Sequence, residues 1–357
     1  MKSQKKKVFV GLSGGVDSSV AAALLVDQGY DVTGVYMKNW SKDIPGFPCP
    51  WKEDYQDAKR VAVKLGIPFL LFDFEKEYFE KVVNYMIDGY KQGLTPNPDI
   101  MCNQEIKFKL FYDAAREHGA DFIATGHYAQ TENGKLQLAV DSNKDQTYFL
   151  YRVSHEALEH TLFPLGNITK PQVRVIAKEK GLITAQKKES MGICFVGKVG
   201  IREFLDQYVK QVEPGAIVDQ NGVAIGEHDG ALYYTIGQRH GLSVGGGLPY
   251  YVTGKNMATN TVFVTSDIAD EKLWSKRLVL SAVHWIDESH AVQSGDSIMV
   301  RTRHRAPLAG AKVIESNSDS AVVELDQPIR AATPGQSAVI YADNICLGGG
   351  ILSAFEL

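Results

Sequence analysis

Residues 8–29, VFVGLSGGVDSSVAAALLVDQG, decide the fold class of this chain. Residues 8–12 are a short apolar run typical of a buried strand, and residues 18–28 predict a helix rich in Ala, Val and Leu that ends at Gly29. The glycine-rich turn SGGVDS (13–18) joins them. A strand, a glycine turn and a helix in this order are typical of the first unit of an α/β sheet that binds a nucleotide.

The same alternation continues through the first 200 or so residues. Further strands are predicted at 32–37, 68–73 and 122–125, and further helices at 53–65, 79–92 and 104–117. This order predicts a doubly wound, mostly parallel sheet. Ligands bind such sheets at the carboxyl ends of the strands, which places a site at the loops after Leu12, Met37 and Thr125.

The pattern changes after residue 204, and we predict three domains. Residues 1–204 form the nucleotide-binding catalytic domain, and 205–272 a small β-rich central domain. The pattern at 273–357 is typical of a small antiparallel barrel or sandwich, and we predict a C-terminal antiparallel β-barrel there. The central strands are predicted at 216–218, 232–236, 250–253 and 261–264. The strands of the barrel are predicted at 297–303, 311–315, 321–325 and 338–341.

Composition excludes several classes of protein. The 357 residues carry a formal net charge of −4, which argues against a surface uniformly suited to nucleic acid. The tract Arg301, Arg303, His304 and Arg305 is either a local phosphate-binding patch or a solvated strand edge. The four cysteines form no CxxC pair, and no apolar run approaches the roughly 18 residues of a membrane span. We expect a cytoplasmic monomer with no membrane partner.

The SGGVDS turn has the chemistry of an anion site. Gly14 and Gly15 can adopt positive φ and turn backbone N–H groups toward a phosphate, while Ser13 and Ser18 add hydroxyl donors. The turn lacks the lysine of a Walker loop. Asp17 is therefore expected to bind a magnesium ion or to cap the helix. The alternative is a tight strand–helix turn with no ligand.

Two cysteine segments are candidates for nucleophilic chemistry. In TPNPDIMCN (95–103), Asp99 and Cys102 are expected just before the helix at 104–117, where a helix N-terminus favours the thiolate. Asp99 could act as a general acid or base. Cys194 lies in ESMGICFVG (189–197), between glycines of a turning loop. In both cases the alternative is a buried structural cysteine.

At this point the sequence resembles a known family. SGGVDS is the signature of the PP-loop ATP pyrophosphatases, which cleave ATP between the α and β phosphates. Together with six further segments it resembles the tRNA-specific 2-thiouridylase family over essentially the whole chain. These segments are PNPDIMCN, ATGHYA (124–129), KDQTY (144–148) with FPLG (163–166), SMGICFVG and TIGQRHGL (235–242).

The resemblance implies specific site residues. ATP would be bound by Gly11, Leu12, Ser13, Gly14, Gly15, Val16, Asp17 and Ser18, with Met37 and Gly126 on the adenine side. The target uridine, flipped out of its stack, would be received by Asn97, Pro98 and Asp99. Further contacts to tRNA would come from Lys144, Asp145, Gln146, Arg303 and His304, although the family pattern often has an aromatic residue at the position of His304.

The resemblance also implies the reaction. ATP with Mg²⁺ adenylates the C2 oxygen of the wobble uridine in tRNAs for lysine, glutamate and glutamine. Cys194 carries a persulfide from a cysteine desulfurase or a sulfur-relay protein, and Cys102 attacks it to give a disulfide with Cys194. Direct attack by the persulfide and attack by released sulfide both remain open. Cys49 and Cys346 are treated as structural.

Two other functions compete with this one. An amide- or C–N-forming ligase of the PP-loop superfamily would need the ATP loop but neither cysteine. An RNA-binding protein with a degenerate nucleotide fold would keep its function without Asp17. A thiolase that holds a metal with a dithiol would require the CxxC pair that the sequence lacks.

Overall fold

The computed structural model describes residues 5–44, 48–188, 200–209, 212–242, 244, 245, 247 and 249–356. In the first part of the chain, the strands are β1 (Lys7–Gly11), β2 (Asp31–Lys38), β3 (Phe69–Asp73), β4 (Phe122–Ala124), β5 (Gln130–Glu132), β6 (Lys135–Gln137) and β7 (Thr161–Leu162). Across the described residues, no helix combines the length and apolar character needed to cross a membrane.

Five of these strands form the predicted parallel sheet, in the order β3-β2-β1-β4-β7. Val8 of β1 pairs with Val32 on one side and with Phe122 on the other. The chain first builds outward from β1 through β2 to β3, and then continues on the opposite side with β4 and β7. The gap between the carboxyl ends of β1 and β4 is therefore the switch point, where doubly wound sheets bind their ligands.

Eight helices accompany the sheet in the described residues. They are α1 (Val16–Asp27), α2 (Trp51–Leu65), α3 (Glu75–Tyr78, Phe79–Val83 and Asn84–Lys91 in succession), α4 (Pro98–Met101, Cys102–Leu110 and Phe111–Glu117 in succession), α5 (Thr147–Leu150), α6 (His155–Glu159), α7 (Lys170–Glu179) and α8 (Ile201–Leu205). The middle parts of α3 and α4 have π-helical hydrogen bonding and contact each other. Such π turns often lie at functional sites.

The central strands are β8 (Gly215–Val218), β9 (Ala224–His228), β10 (Tyr251–Asn256) and β11 (Thr261–Thr265), in the order β10-β11-β8-β9. The prediction of a strand at 232–236 is wrong, because the chain forms a single 3₁₀ turn over Ala231–Tyr233. Leu232 is only 6% exposed in that turn, so its apolar character reflects core packing and not strand pairing.

The predicted C-terminal antiparallel barrel is confirmed. Its strands are β12 (Trp274–Trp285), β13 (Ser297–Arg301), β14 (Ala309–Ser316), β15 (Ser320–Arg330), β16 (Ser337–Ala342) and β17 (Ile345–Glu356). Pairing of β12 with both β15 and β17 closes the six strands into a ring. The β5–β6 hairpin, which was not predicted, extends the sheet of the barrel through the pair Leu136 and Cys346. The barrel is thus joined to the first part of the chain.

Candidate functional site

The SGGVDS turn lies at the switch point, directly after β1. Gly14 has φ +74°, and a Cβ atom there would collide with the backbone carbonyl of Asp54, so only glycine fits. The backbone N–H of Ser13 donates to Ser18 Oγ at 3.1 Å, which closes the turn. Gly15 precedes α1 without a side chain that could cap it. The first N–H groups of α1 therefore face the turn as a site for an anion.

Asp17 occupies the first turn of α1, where it does not cap the helix but binds two other side chains. Its two carboxylate oxygens each lie 2.7 Å from Nζ of Lys170, and Tyr128 donates its hydroxyl to Oδ1 at 2.8 Å. The expectation of a helix cap is wrong, because Gly15 holds the N-cap position. The carboxylate is already neutralised by Lys170, so this conformation does not offer Asp17 as a magnesium ligand.

Lys170 is the residue at this site that sequence reasoning missed. It begins α7 and is only 8% exposed, 153 positions along the chain from Asp17. A capping box of Thr169 and Gln172 fixes the start of α7. That box is visible in the sequence as a helix start, but nothing local identifies the distant carboxylate. The cation absent from the turn is thus supplied through tertiary packing.

The two residues expected near adenine lie beside the turn. A Cβ atom at Gly126 would come within 2.6 Å of the backbone nitrogen of Ser18, so the loop after β4 lies against the start of α1. A Cβ atom at Gly11 would lie 2.8 Å from the Met37 methyl group. Leu12 is 1% exposed, so its side chain supports the turn from the core.

The loop after β4 contains a histidine, His127, that the site prediction also omitted. His127 Nδ1 lies 2.8 Å from Thr125 Oγ1, and the His127 ring contacts that of Phe108 at 5.7 Å between centroids. Burial holds the pKa of His127 well below its ordinary value of 6.5, so the ring is neutral at physiological pH.

The helix that carries Cys102 starts earlier than predicted. Asn97 accepts hydrogen bonds from the backbone N–H groups of Asp99 at 3.1 Å and Ile100 at 3.4 Å, and Pro98 takes the first helical position. An asparagine cap followed by proline is a strong helix start. Asp99 and Cys102 therefore lie inside α4 and not before it, which corrects the expected position of the thiol.

Cys102 is buried, with 1% of its surface exposed. It packs in an apolar cluster that includes Tyr78, Met86 and Ile106. Asp99, one turn earlier, is half-buried and accessible from outside. In this conformation the carboxylate can meet a ligand directly, whereas attack by the thiol requires the surrounding side chains to move.

Cys194 lies outside the described residues, so its distance from Cys102 is not defined here. The described chain that leads toward it is anchored beside the nucleotide turn. Lys187 Nζ lies 2.8 Å from Asp54 Oδ1 and 2.7 Å from Asp57 Oδ2, and Asp54 is the residue whose backbone packs on Gly14. These ion pairs raise the pKa of Lys187 against the opposing effect of burial, which keeps it charged.

The other two cysteines have surroundings typical of structural residues. Cys346 is 1% exposed in β17, and burial raises the pKa of its thiol well above the ordinary value. Cys49 is half-buried with its thiol 3.7 Å from the backbone oxygen of Trp40, and burial again raises its pKa. Neither environment favours a thiolate.

The two segments expected to contact tRNA lie side by side. Asp145 is 2% exposed and forms a 2.9 Å ion pair with Arg301, so these two charges hold the segments together and are not presented to solvent. The His304 ring packs at a tilt against the Phe149 ring, with ring centroids 4.6 Å apart. Burial, followed by the charge of Arg305, lowers the pKa of His304, which makes this ring a neutral aromatic surface.

The remaining members of the two segments differ in exposure. Gln146 accepts a hydrogen bond from the backbone N–H of Tyr128 at 3.0 Å, which ties it to the nucleotide loop. Lys144 is half-buried. Arg303 is exposed and donates to the backbone oxygen of Ala331. Of the basic tract, Arg303 and Arg305 face solvent, whereas Arg301 is buried.

Comparison with known proteins identifies three family domains along the chain. Residues 6–198 match the tRNA methyl transferase HUP domain, 202–266 the tRNA methyl transferase PRC-barrel domain, and 275–352 the aminomethyltransferase beta-barrel domain. Together these matches cover the three sheets in the same order as the structure.

Two relatives match at nearly full length. A protein of Idiomarina loihiensis named tRNA-specific 2-thiouridylase MnmA is 46% identical, with 99% of this chain and 97% of the relative covered. A protein of the same name from Staphylococcus aureus is 45% identical, with 99% and 96% covered. Among solved structures, a 4-thiouridine synthetase–RNA complex with bound ATP is 21% identical with a TM-score of 0.39, covering 57% of this chain and 50% of that one.

Proposed function

Because the chain belongs to the tRNA-specific 2-thiouridylase family, we propose that it replaces the C2 oxygen of the wobble uridine of tRNA with sulfur at the expense of ATP. The substrates are the tRNAs for lysine, glutamate and glutamine, and the reaction takes place in the cytoplasm. The observation that supports the use of ATP is the glycine turn at the switch point. There Gly14 lets the backbone of Asp54 pack against the turn, and Gly126 lets the loop after β4 pack against the start of α1, more closely than a residue with a Cβ atom would allow.

ATP fits this turn through the groups that the chain presents there. The N–H groups at the start of α1 and the hydroxyl of Ser13 face the phosphates. Lys170 neutralises the negative charge of Asp17, which would otherwise repel them. Met37 and Gly126 border the adenine. The magnesium ion expected with ATP stays a prediction, and Asp17 would have to leave Lys170 to bind it.

The proposed chemistry consists of three steps, each of which balances. In the first, the uridine O2 attacks the α-phosphorus of ATP, and pyrophosphate leaves with the β and γ phosphates. In the second, sulfur delivered on Cys194 attacks C2, the C2–O bond breaks and AMP leaves. Cys102 then cleaves the sulfur–sulfur bond to Cys194, which leaves sulfur on the base and a Cys102–Cys194 disulfide that an external thiol reduces.

We propose Asp99 as the group that handles a proton in this sequence. It lies half-buried in the first turn of α4, three residues before Cys102, with its backbone fixed by the Asn97 cap. We propose that its carboxylate contacts the flipped base and assists proton transfer. Cys102 reacts after tRNA binding has moved the apolar side chains that bury its thiol.

The experiment that tests this proposal follows both products. Purified protein is mixed with ATP labelled at the α-phosphate, unmodified tRNA, and a cysteine desulfurase with cysteine as the sulfur source. We expect AMP and pyrophosphate, together with 2-thiouridine in the nucleoside digest. Release of ADP and phosphate would refute the proposal.

Cysteine variants separate this function from that of a ligase. Cys102→Ser and Cys194→Ser should each abolish thiolation while ATP and tRNA still bind. Cys49→Ser is the matched control, since Cys49 packs against the same apolar cluster as Cys102, and it should keep thiolation. Thiolation that survives in Cys194→Ser would exclude Cys194 as the sulfur carrier.

A further inference from the structure

The chain just before the 97–102 segment is held by both β domains. The backbone N–H of Thr95 donates to the oxygen of Pro334 at 2.9 Å, and Gln336 Nε2 donates to the oxygen of Thr95 at 2.6 Å. Thr95 Oγ1 also lies 3.4 Å from Thr235 Oγ1 of the central domain. One residue therefore joins the catalytic segment to the barrel and to the central domain.

The other end of the segment is connected to the barrel as well. Asn103, directly after Cys102, is 2% exposed and donates from Nδ2 to the backbone oxygen of Phe149 at 2.9 Å. The neighbouring Tyr148 is also buried, and its hydroxyl donates to the backbone oxygen of Ser337 in β16 at 3.1 Å. Short polar contacts thus lead from the barrel strand to the residue beside the thiol.

We propose that the C-terminal barrel positions the 97–102 segment, with Thr95 and Asn103 as the positioning residues at its two ends. The inference rests on the proposed function, in which Asp99 and Cys102 carry the chemistry. Two anchors only eight positions apart leave the intervening backbone little freedom. Reacting groups misplaced by about 1 Å can cost about 100-fold in rate.

The same contacts connect tRNA docking to the segment. His304, on the surface expected to meet tRNA, packs at a tilt against Phe149, with 4.6 Å between ring centroids. Phe149 in turn supplies the backbone oxygen that Asn103 binds. A tRNA that displaces His304 would shift Phe149, and with it the acceptor of Asn103. The barrel therefore acts on the reaction and not only on affinity for tRNA.

The first variant is Gly335→Ala, which inserts a methyl group into the Thr95 junction. Gly335 has φ +90°, and a Cβ atom there would lie 2.7 Å from Thr95 N and 2.9 Å from Leu94 Cβ. Gly295→Ala is the matched control in the same domain. Its φ is +97°, and a Cβ atom would meet no described atom within 4 Å. The pair separates backbone strain from displacement of the junction.

The readout is the single-turnover rate of tRNA thiolation at saturating ATP and tRNA, with tRNA affinity measured in parallel. We expect Gly335→Ala to lose about 10- to 100-fold in rate with tRNA Kd changed less than about threefold. Gly295→Ala should stay within about twofold of wild type. Equal rates in the two variants, or a Gly335→Ala defect that disappears at saturating tRNA, would overturn the proposal.

A second pair covers the case in which Gly335→Ala does not fold. Asn103→Leu removes the donor to Phe149, and Thr161→Val removes another buried hydrogen bond, from Thr161 Oγ1 to the oxygen of Ala157 at 2.6 Å. Only Asn103→Leu should slow thiolation, and equal rates in this pair would also overturn the proposal. Cys102→Ser in the same assay distinguishes failure of the positioning proposal from failure of the proposed function. Thiolation by Cys102→Ser would refute the proposed function itself.

Discussion

The ion pair between Lys170 and Asp17 allows a quantitative test of how the nucleotide turn is held. Lys170 Nζ lies 2.7 Å from both oxygens of Asp17, and the two side chains are 10% and 33% exposed. Removing either partner leaves the other charge unneutralised. Because Lys170 is the more deeply buried of the two, losing Asp17 should cost more than losing Lys170.

The magnitudes follow from the exposure of the two groups. Breaking a fully buried pair costs about 3–5 kcal/mol. Water can reach Asp17, so we expect Lys170→Met to lower the free energy of unfolding by about 1–3 kcal/mol and Asp17→Asn by about 2–4 kcal/mol. The double variant leaves no lone charge, and its loss should fall below the sum of the single losses by about 1–3 kcal/mol.

The assay is calorimetric unfolding of the protein without ATP. For a domain of about 200 residues, a loss of about 2 kcal/mol lowers Tm by about 4–8 °C. Lys180→Met is the control, since Lys180 pairs with Asp27 across the same two helices with side chains 37% and 48% exposed. That exposed pair should contribute less than about 1 kcal/mol. Strict additivity in the double variant, or equal Tm values for Lys170→Met and Lys180→Met, would refute the reasoning.

Three further predictions concern the β domains. Burial lowers the pKa of Lys255 from 10.5 to about 8, so the folded state binds its proton less tightly and the stability contribution rises between pH 8 and 10.5. Urea unfolding across that range should show the free energy of unfolding rise by up to about 3 kcal/mol in wild type but not in Lys255→Met. The same dependence of the free energy of unfolding on pH in both proteins would contradict the prediction. Arg301→Met should cost about 3–5 kcal/mol in a thermal melt because it leaves Asp145 buried without its cation. Arg303→Met should instead keep stability within about 1 kcal/mol and reduce the salt dependence of tRNA binding by about one charge; a large stability loss in Arg303→Met would contradict the assignment.

Much of the fold follows from local sequence patterns. The parallel sheet and the closed barrel were predicted from strand-like apolar runs separated by helices or by turn residues, and both are confirmed. The error at 232–236 has a local cause. Its apolar side chains suit a buried turn as well as a strand, and periodicity over five residues does not distinguish the two.

The start of α4 was open to prediction but was assigned too late. Asn97 followed by Pro98 is a recognised cap and first turn, yet the helix was predicted to begin only at Gln104. Cys102 lies in the second turn of that helix, on the face that packs with Tyr78, Met86 and Ile106. The thiol therefore lies in a less accessible place than the sequence suggested.

The sequence by itself determined the glycine turn with which it opens. Only glycine tolerates the backbone at position 14, so the anion site after β1 is encoded within six residues. Tertiary structure alone decided what surrounds it. Lys170 reaches Asp17 from 153 positions away, and the barrel reaches Thr95 through Gln336, 241 positions away. Such pairings depend on how helices and sheets pack, and no local pattern of residues specifies which distant partners packing will bring together.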